Sequence, residues 1–283
     1  MSNTRKNNPK NKCIIINFME GEGLGNQLFI YAAGLTVKHK HKLPICIIKA
    51  KNNPHSNKNY RNLFHATKLN TTRNSVNILG KNRGYTNAWN ILSNYNSNKN
   101  IKLPDNLYQN YKSIHHIIPT MKNILLDNEF NKNPRYIEYK KLIESPLNTA
   151  FMHVRRGDKI LRGQELDVKY FQRGLEHLNK NANIKTIYIF SNDLDWCKKH
   201  DADWKTTTAK PIIYYDNSDE LIILYMMMNC LGGAILSNST FGMWGAMLGA
   251  DTNPNSTIAY NSRPQEYIGK INPIQFPDRW IGL

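Results

Sequence analysis

Ala150-Phe151-Met152-His153-Val154-Arg155-Arg156-Gly157-Asp158 decides the fold. Its first five residues have the length and apolar character of a strand, and two arginines stand at the carboxyl end. The same grammar repeats downstream. Val168 to Asn179 reads as a helix, Ile184 to Phe190 as a buried strand and Asp193 to His200 as a helix. Pro211 to Tyr215, Ser218 to Asn229, Ala234 to Leu236 and Phe241 to Leu248 continue the alternation as strand, helix, strand and helix. Strands separated by helices at this spacing predict an α/β fold with a parallel, doubly wound sheet. In such sheets ligands bind beyond the carboxyl ends of the strands.

Upstream the pattern is sparser. Cys13 to Phe18 is an apolar run of strand length, followed by Gly21-Glu22-Gly23-Leu24-Gly25-Asn26-Gln27. Leu28 to Lys38 then predicts a helix with Leu28, Tyr31, Ala32 and Leu35 on one face. Leu43 to Ile48 predicts a second strand, residues 51–100 loops and short helices, and residues 101–145 mixed short elements.

Charge divides the chain. Residues 1–150 hold 23 Lys+Arg against 7 Asp+Glu, and residues 151–283 hold 15 against 14, within a total of +17. The asymmetry predicts two domains, 13–147 and 148–283, after a disordered basic tail over 1–12. A basic half attracts nucleic acid, an anionic membrane or an acidic substrate. The sequence carries no nucleic-acid module signature, so no nucleic-acid partner is expected. Compositional drift is the competing source of the charge, because 15 of 39 asparagines crowd into residues 51–100. The tail has no apolar core before a cleavage site, and no run approaches the ~18 apolar residues of a membrane span. Cys13, Cys46, Cys197 and Cys230 form no CxxC pair and no metal spacing. They predict free thiols and a cytoplasmic setting.

Four motifs carry candidate chemistry. Three glycines within Gly21–Gly25, between a strand and a helix, let a ligand approach backbone N–H groups. The loop lacks the Gly-Lys-Ser/Thr of a Walker motif and the spacing of a dinucleotide fingerprint. His153, Arg155 and Arg156 offer donors and planar forks suited to phosphate, with Asp158 to orient an arginine or take a proton. By strand alternation Arg155 shares a side with His153, while Arg156 points away and is free to bond Asp158. Ser191, Asp193 and Asp195 read either as a metal anchor or as a capped helix start with an acidic first turn, and the cap accounts for them without a metal. Asn238-Ser239-Thr240 begins a helix and can cap it or hold an anion.

In order, these motifs resemble those of the α-1,2-fucosyltransferases of glycosyltransferase family 11. The resemblance runs through Glu22-Gly23-Leu24-Gly25-Asn26-Gln27-Leu28-Phe29, His153 to Asp158, Phe190 to Cys197, Asn238 to Ala246 and Pro277 to Ile281. Glu22, Asn192, Gly242 and Met243 depart from the family pattern. The resemblance implies a GT-B-like pair of α/β domains around a cleft, an acceptor-side domain over 13–147 and a donor-binding domain over 148–283. It implies inverting transfer of fucose from GDP-L-fucose to a glycan hydroxyl, such as the 2-OH of a terminal galactose, with no metal and no cofactor. The donor would meet Gly23, Gly25, Asn26, His153, Arg155, Arg156, Ser191, Asp193, Asn238, Ser239 and Thr240. Arg155 would stabilise the leaving group, and Glu22 or Asp158 would act as base. Two other readings stand beside it. One is another GDP-sugar or protein O-fucosyltransferase on the same scaffold. The other is a basic protein that binds nucleic acid or an anionic surface, and peripheral membrane contact through the basic half belongs with either.

Overall fold

The computed structural model describes residues 12–18, 21–49, 63–64, 67–68, 76–78, 100–103, 105, 108–262, 266–267, 270–271 and 276–283. Two parallel sheets dominate it. The first has the order β3-β2-β1-β5-β4, with β1 (Ile14–Phe18), β2 (Ile45–Lys49), β3 (Thr67–Lys68), β4 (Val76–Ile78) and β5 (Asn100–Lys102). β1 is central, and its near-continuous apolar sequence is that of a parallel strand covered on both faces. Ile14 lies opposite Ile45 on one side and Ile101 on the other.

The second sheet has the order β13-β10-β9-β6-β7-β8. Its strands are β6 (Thr149–Val154), β7 (Thr186–Ser191), β8 (Ile212–Tyr214), β9 (Gly233–Leu236), β10 (Thr257–Tyr260) and β13 (Ile281–Gly282). A separate antiparallel pair, β11 (Glu266–Tyr267) and β12 (Lys270–Ile271), precedes β13. The chain runs outward from β6 through β7 to β8, then returns to place β9 on the other side of β6. The reversal leaves a crevice at the carboxyl ends of β6 and β9, the place where such sheets bind ligands.

Helix α1 (Leu24–His41) follows β1, and α2 (Ile118–Leu125) and α3 (Arg135–Leu142) lie between the sheets in sequence. The second sheet carries α4 (Val168–Asn179), α5 (Leu194–Lys199), α6 (Asp201–Thr207), α7 (Glu220–Asn229) and α8 (Thr240–Leu248). α4 buries Tyr170, Phe171, Gly174, Leu175 and Leu178, the stripe expected of a helix lying on a sheet. α7 buries all of Leu224 to Met228, so neighbours surround it. One neighbour is α3, whose Tyr136 meets Phe130 edge-on and Tyr225 at a tilt, and whose Arg135 bonds Asp219 at 3.1 Å.

Several expected boundaries move. α1 begins at Leu24 rather than Leu28, so Gly25, Asn26 and Gln27 form its first turn instead of a loop. The mixed elements expected over 101–145 include α2 and α3, and the acidic start at Asp193 opens two helices that break at His200. Where residues 51–100 are described, they include strand residues of β3, β4 and β5 rather than short helices. The tail expected over 1–12 and most of the Asn-rich segment lie outside the described residues. All four cysteines are buried and free.

The two sheets meet where α1 crosses α8. Phe29 and Trp244 bring their ring centroids within 5.0 Å. At the helix starts the backbones nearly touch. A Cβ on Gly25 would sit 2.5 Å from the Phe241 nitrogen and 2.7 Å from the Thr240 carbonyl carbon. Neither backbone can yield without parting the helices. We therefore expect Gly25→Ala to lower stability by about 1–3 kcal/mol, the usual cost of overpacking. Gly23→Ala, with open space around the new methyl, should stay within about 0.5 kcal/mol of the parent. Urea unfolding of the two variants side by side checks both values.

Candidate functional site

A cleft of about 670 Å³ opens between the two sheets at their carboxyl edges. After β1 its wall comes from Gly21, Gly23, Leu24, Gly25 and Asn26. After β6 it comes from His153, Arg155, Asp158, Lys159 and Arg162, and after β7 from Phe190, Ser191 and Asn192. Asp216, Asn217, Ser218 and Glu220 follow β8, and Asn238 to Phe241 follow β9.

Two helices aim their N-termini here. α1 has Gly23 as its N-cap and α8 has Ser239, and neither receives a hydrogen bond from its capping side chain. By contrast α4, α5 and α7 are capped by Asp167, Asp193 and Asp219. An uncapped first turn leaves N–H groups and the positive dipole end available to an anion. The two starts are tied together, with Thr240 Oγ1 donating to Asn26 Oδ1 at 2.9 Å and Gln109 Nε2 donating to the same oxygen at 3.0 Å.

The β6 motif separates into three roles. His153 is buried at 6% exposure, with Nδ1 3.1 Å from Ser237 Oγ. Burial, with the Arg155 charge behind it, lowers its pKa to about 3. It is therefore a neutral ring that brings no positive charge to the cleft. The same Ser237 oxygen accepts the Arg155 backbone N–H at 3.0 Å, so one hydroxyl joins the ends of β6 and β9. Gly242, a departure from the family pattern, makes room for the imidazole, since a Cβ there would lie 2.7 Å from Nδ1.

Arg155 shares the cleft with His153, as strand alternation requires. Its partner is Asp158, whose Oδ1 accepts from Nε at 3.0 Å and lies 2.9 Å from Nη2 as an ion pair. Arg156 turns away. It bonds Asp193 at 3.1 Å and covers the Trp196 ring at 4.2 Å, so the expected bond to Asp158 belongs to Arg155 instead. Burial pushes the Asp158 carboxyl up, but Arg155, aided by Lys159 and Arg162, outweighs it and holds the pKa below the usual value.

Of the residues singled out from sequence, Gly23, Gly25, Asn26, His153, Arg155, Asp158, Ser191, Asn238, Ser239 and Thr240 line the cleft. Glu22, Arg156 and Asp193 do not. Glu22 is 4% exposed behind the wall, and its carbonyl takes the Gln27 amide at 2.9 Å. Asp193 spends one oxygen on the Trp196 N–H at 3.1 Å, a cap in the ordinary sense, and the other on Arg156. Lys159, Arg162, Gln109 and Asp216 were not anticipated. Lys159 and Arg162 follow the arginine motif directly and could have been read as its continuation. Gln109 and Asp216 stand in segments without a pattern.

A family model described as Glycosyl transferase family 11 matches residues 126–283. The O-antigen biosynthesis glycosyltransferase WbnK of Escherichia coli is 29% identical over 156 residues, 51% of this chain and 48% of that one. An alpha-1,2-colitosyltransferase of Escherichia coli is 23% identical over 145 residues, 48% of each chain. The chain thus spans about half the length of the curated relatives it matches. Among solved structures, fucosyltransferase NodZ from Bradyrhizobium superposes with a TM-score of 0.53 at 11% identity, covering 84% of this chain and 93% of that one. A NodZ alpha-1,6-fucosyltransferase crystal soaked with GDP-fucose gives 0.55 at 11% identity, with coverage of 84% and 92%. Arabidopsis thaliana FUT1 gives 0.50 at 11% identity, with coverage of 90% and 71%. At these identities the likeness is one of fold, and the fold is GT-B-like. Among the described residues no helix is long and apolar enough to cross a membrane.

His153 generates a pH prediction. Its folded-state pKa lies below the ~6.5 of an unfolded chain. Above that value neither state binds the proton and its contribution is complete. As pH falls from about 6.5 toward 3, the unfolded chain takes up a proton that the folded one refuses, and stability declines. The His153→Gln variant should lose less stability than the parent between pH 7 and pH 5 in chemical denaturation. The His153 ring signals should not titrate across that range by NMR.

Proposed function

This chain belongs to glycosyl transferase family 11, and from that footing we propose that it moves L-fucose from GDP-L-fucose to a sugar hydroxyl, with inversion and without a metal. The 2-OH of a terminal galactose or a similar sugar is the proposed acceptor, in line with the alpha-1,2 linkage named for one relative. That relative is a colitosyltransferase, which keeps a different donor sugar as the second reading.

The observation that carries the proposal is the convergence of two uncapped helix starts and Arg155 on one cleft. In the proposed reaction the acceptor oxygen displaces GDP at the anomeric carbon. The C1–O bond breaks with its electron pair passing to the β-phosphate, where negative charge grows, and the acceptor hydroxyl gives up its proton to Asp158 or to water. Donors already aimed at that point stabilise the transition state more than the ground state. The N–H groups at the starts of α1 and α8 fit this task, as does the Arg155 guanidinium held in orientation by Asp158. Asp158 is in this reading an orienting group and a weak base, since Arg155 keeps it ionised. Ser191 and Asn192 at the end of β7 lie where the nucleoside would run. Arg156 and Asp193 would hold the wall from behind. The open space beside Gly23 is room for the sugar, on the side toward the first sheet.

Two outcomes are expected. GDP and GDP-fucose should raise the melting temperature, since a ligand that binds only the folded state stabilises it. UDP and ADP should do much less, and equal shifts from all of them would contradict a guanine donor. Arg155→Lys keeps charge but loses the planar fork. Its turnover with GDP-fucose and a galactoside should fall about 10²–10³-fold. Its circular dichroism melt should match the parent, because Arg155 is a partly exposed cleft residue outside the core.

A further inference from the structure

We propose that Lys159 and Arg162 supply the net positive charge met by the departing diphosphate, beside the fork of donors that Arg155 presents. The inference rests on the donor being a nucleoside diphosphate sugar. It begins with a charge balance. Asp158 lies 2.9 Å from Arg155, so that pair brings no net charge to the cleft. A nucleoside diphosphate carries about two negative charges while bound to the sugar and gains one more as it leaves, and partial charges at helix ends, about half a unit each, do not balance them. Among the described residues the remaining cations on the cleft wall are Lys159 and Arg162.

Their position agrees. Both lie on the turn after β6, within the helical turn Gly157–Ile160 and the bend that follows to Gly163, whose φ is +59°. Lys159 Nζ donates to Gln164 Oε1 at 3.3 Å. The Gln164 carbonyl accepts Asn238 Nδ2 at 3.3 Å, and Asn238 Oδ1 accepts Asn261 Nδ2 at 2.9 Å. Asn238 immediately precedes the Ser239 cap of α8. This chain of amides holds the ammonium group at the β6–β9 crevice, beside the helix start that would face the phosphates. Lys159 is partly buried, and Asp158, the carboxylate that acts on it, is already committed to Arg155. Burial depresses its pKa, Asp158 opposes this, and Arg162 and Arg155 add to the fall. A cation in that state gains from an anion in the cleft.

The opposite end of the cleft has the opposite sign. Asp216 and Glu220 follow β8, two strands away from β6 and so about 10 Å across the sheet. The cleft is therefore polarised along the sheet edge. A ligand with a dianionic end has one favoured orientation, with its diphosphate over Lys159 and Arg162 and its uncharged groups toward β8.

Calorimetric titration of GDP and of guanosine into the wild type, Lys159→Met, Arg162→Met and Lys159→Arg tests this. Charged hydrogen bonds contribute about 1.5–3 kcal/mol, so each Met variant should bind GDP at least about 10-fold more weakly. Guanosine, which has no phosphate, should bind all four proteins within about twofold, which also reports that the cleft is folded. Lys159→Arg should recover most of the GDP affinity, and kcat should fall with GDP affinity in the Met variants. If the wild type binds GDP and both Met variants bind it equally well, the charge assignment is wrong while the proposed function stands. If the wild type binds no nucleoside diphosphate at all, the functional reading fails and the inference goes with it.

Discussion

The contact between the first turns of α1 and α8 is the constraint on which the rest of the structure depends. Gly25 lies against the backbone of Thr240 and Phe241, and the Thr240 hydroxyl closes the contact on Asn26. Because each helix begins at the carboxyl edge of its own sheet, this single crossing sets the distance between the sheets and hence the width of the cleft. It also gives the glycine motif a packing purpose besides any contact with a ligand. Gly25 serves helix packing, whereas Gly23, with open space around it, is the residue a ligand can approach.

From there the site is built by assigning partners. Of the two arginines in the β6 motif, one lines the cleft with Asp158 beside it and the other braces the wall through Asp193 and Trp196. Ser237 binds the neutral His153 ring and the Arg155 backbone at once, so the ends of β6 and β9 hold fixed positions. The chemistry of the motif is thus mostly scaffolding, with a smaller set of donors facing open space. The far end of the family resemblance behaves alike. Trp280 is buried and donates its indole N–H to Asp251 at 2.8 Å, anchoring β13 to the edge of the second sheet.

Much of the second sheet was legible because its strands are dense apolar runs and its helices carry clear caps. Val168–Asn179 matches its sequence reading at both ends, since Asp167 caps it and the apolar stripe has helical spacing. The sequence alone starts α1 four residues late because glycine is a poor helix former, and only the contact with α8 makes a helical Gly25 favourable. β3, β4 and β5 are not legible because two or three residues are too few to show a period. In the site, the pairing of Arg155 with Asp158 and of Arg156 with Asp193 could not be read. Alternation tells which side of a strand a residue takes, but partners come from other elements. The burial of Glu22 was hidden for the same reason, because its neighbours arrive only through folding.

The hydrogen bond from Thr240 to Asn26 spans 214 residues of chain. At about 5–20 residues per second, synthesis leaves the first helix waiting roughly 10–40 seconds before its partner emerges. Until then the apolar face of α1 that ends against Trp244 is uncovered, and high contact order makes the closing step slow in any case. The order of assembly therefore runs opposite to the order of reading. The motif nearest the beginning of the sequence is among the last to reach its native surroundings, and transiently exposed apolar surface of this kind is where aggregation starts and chaperones act.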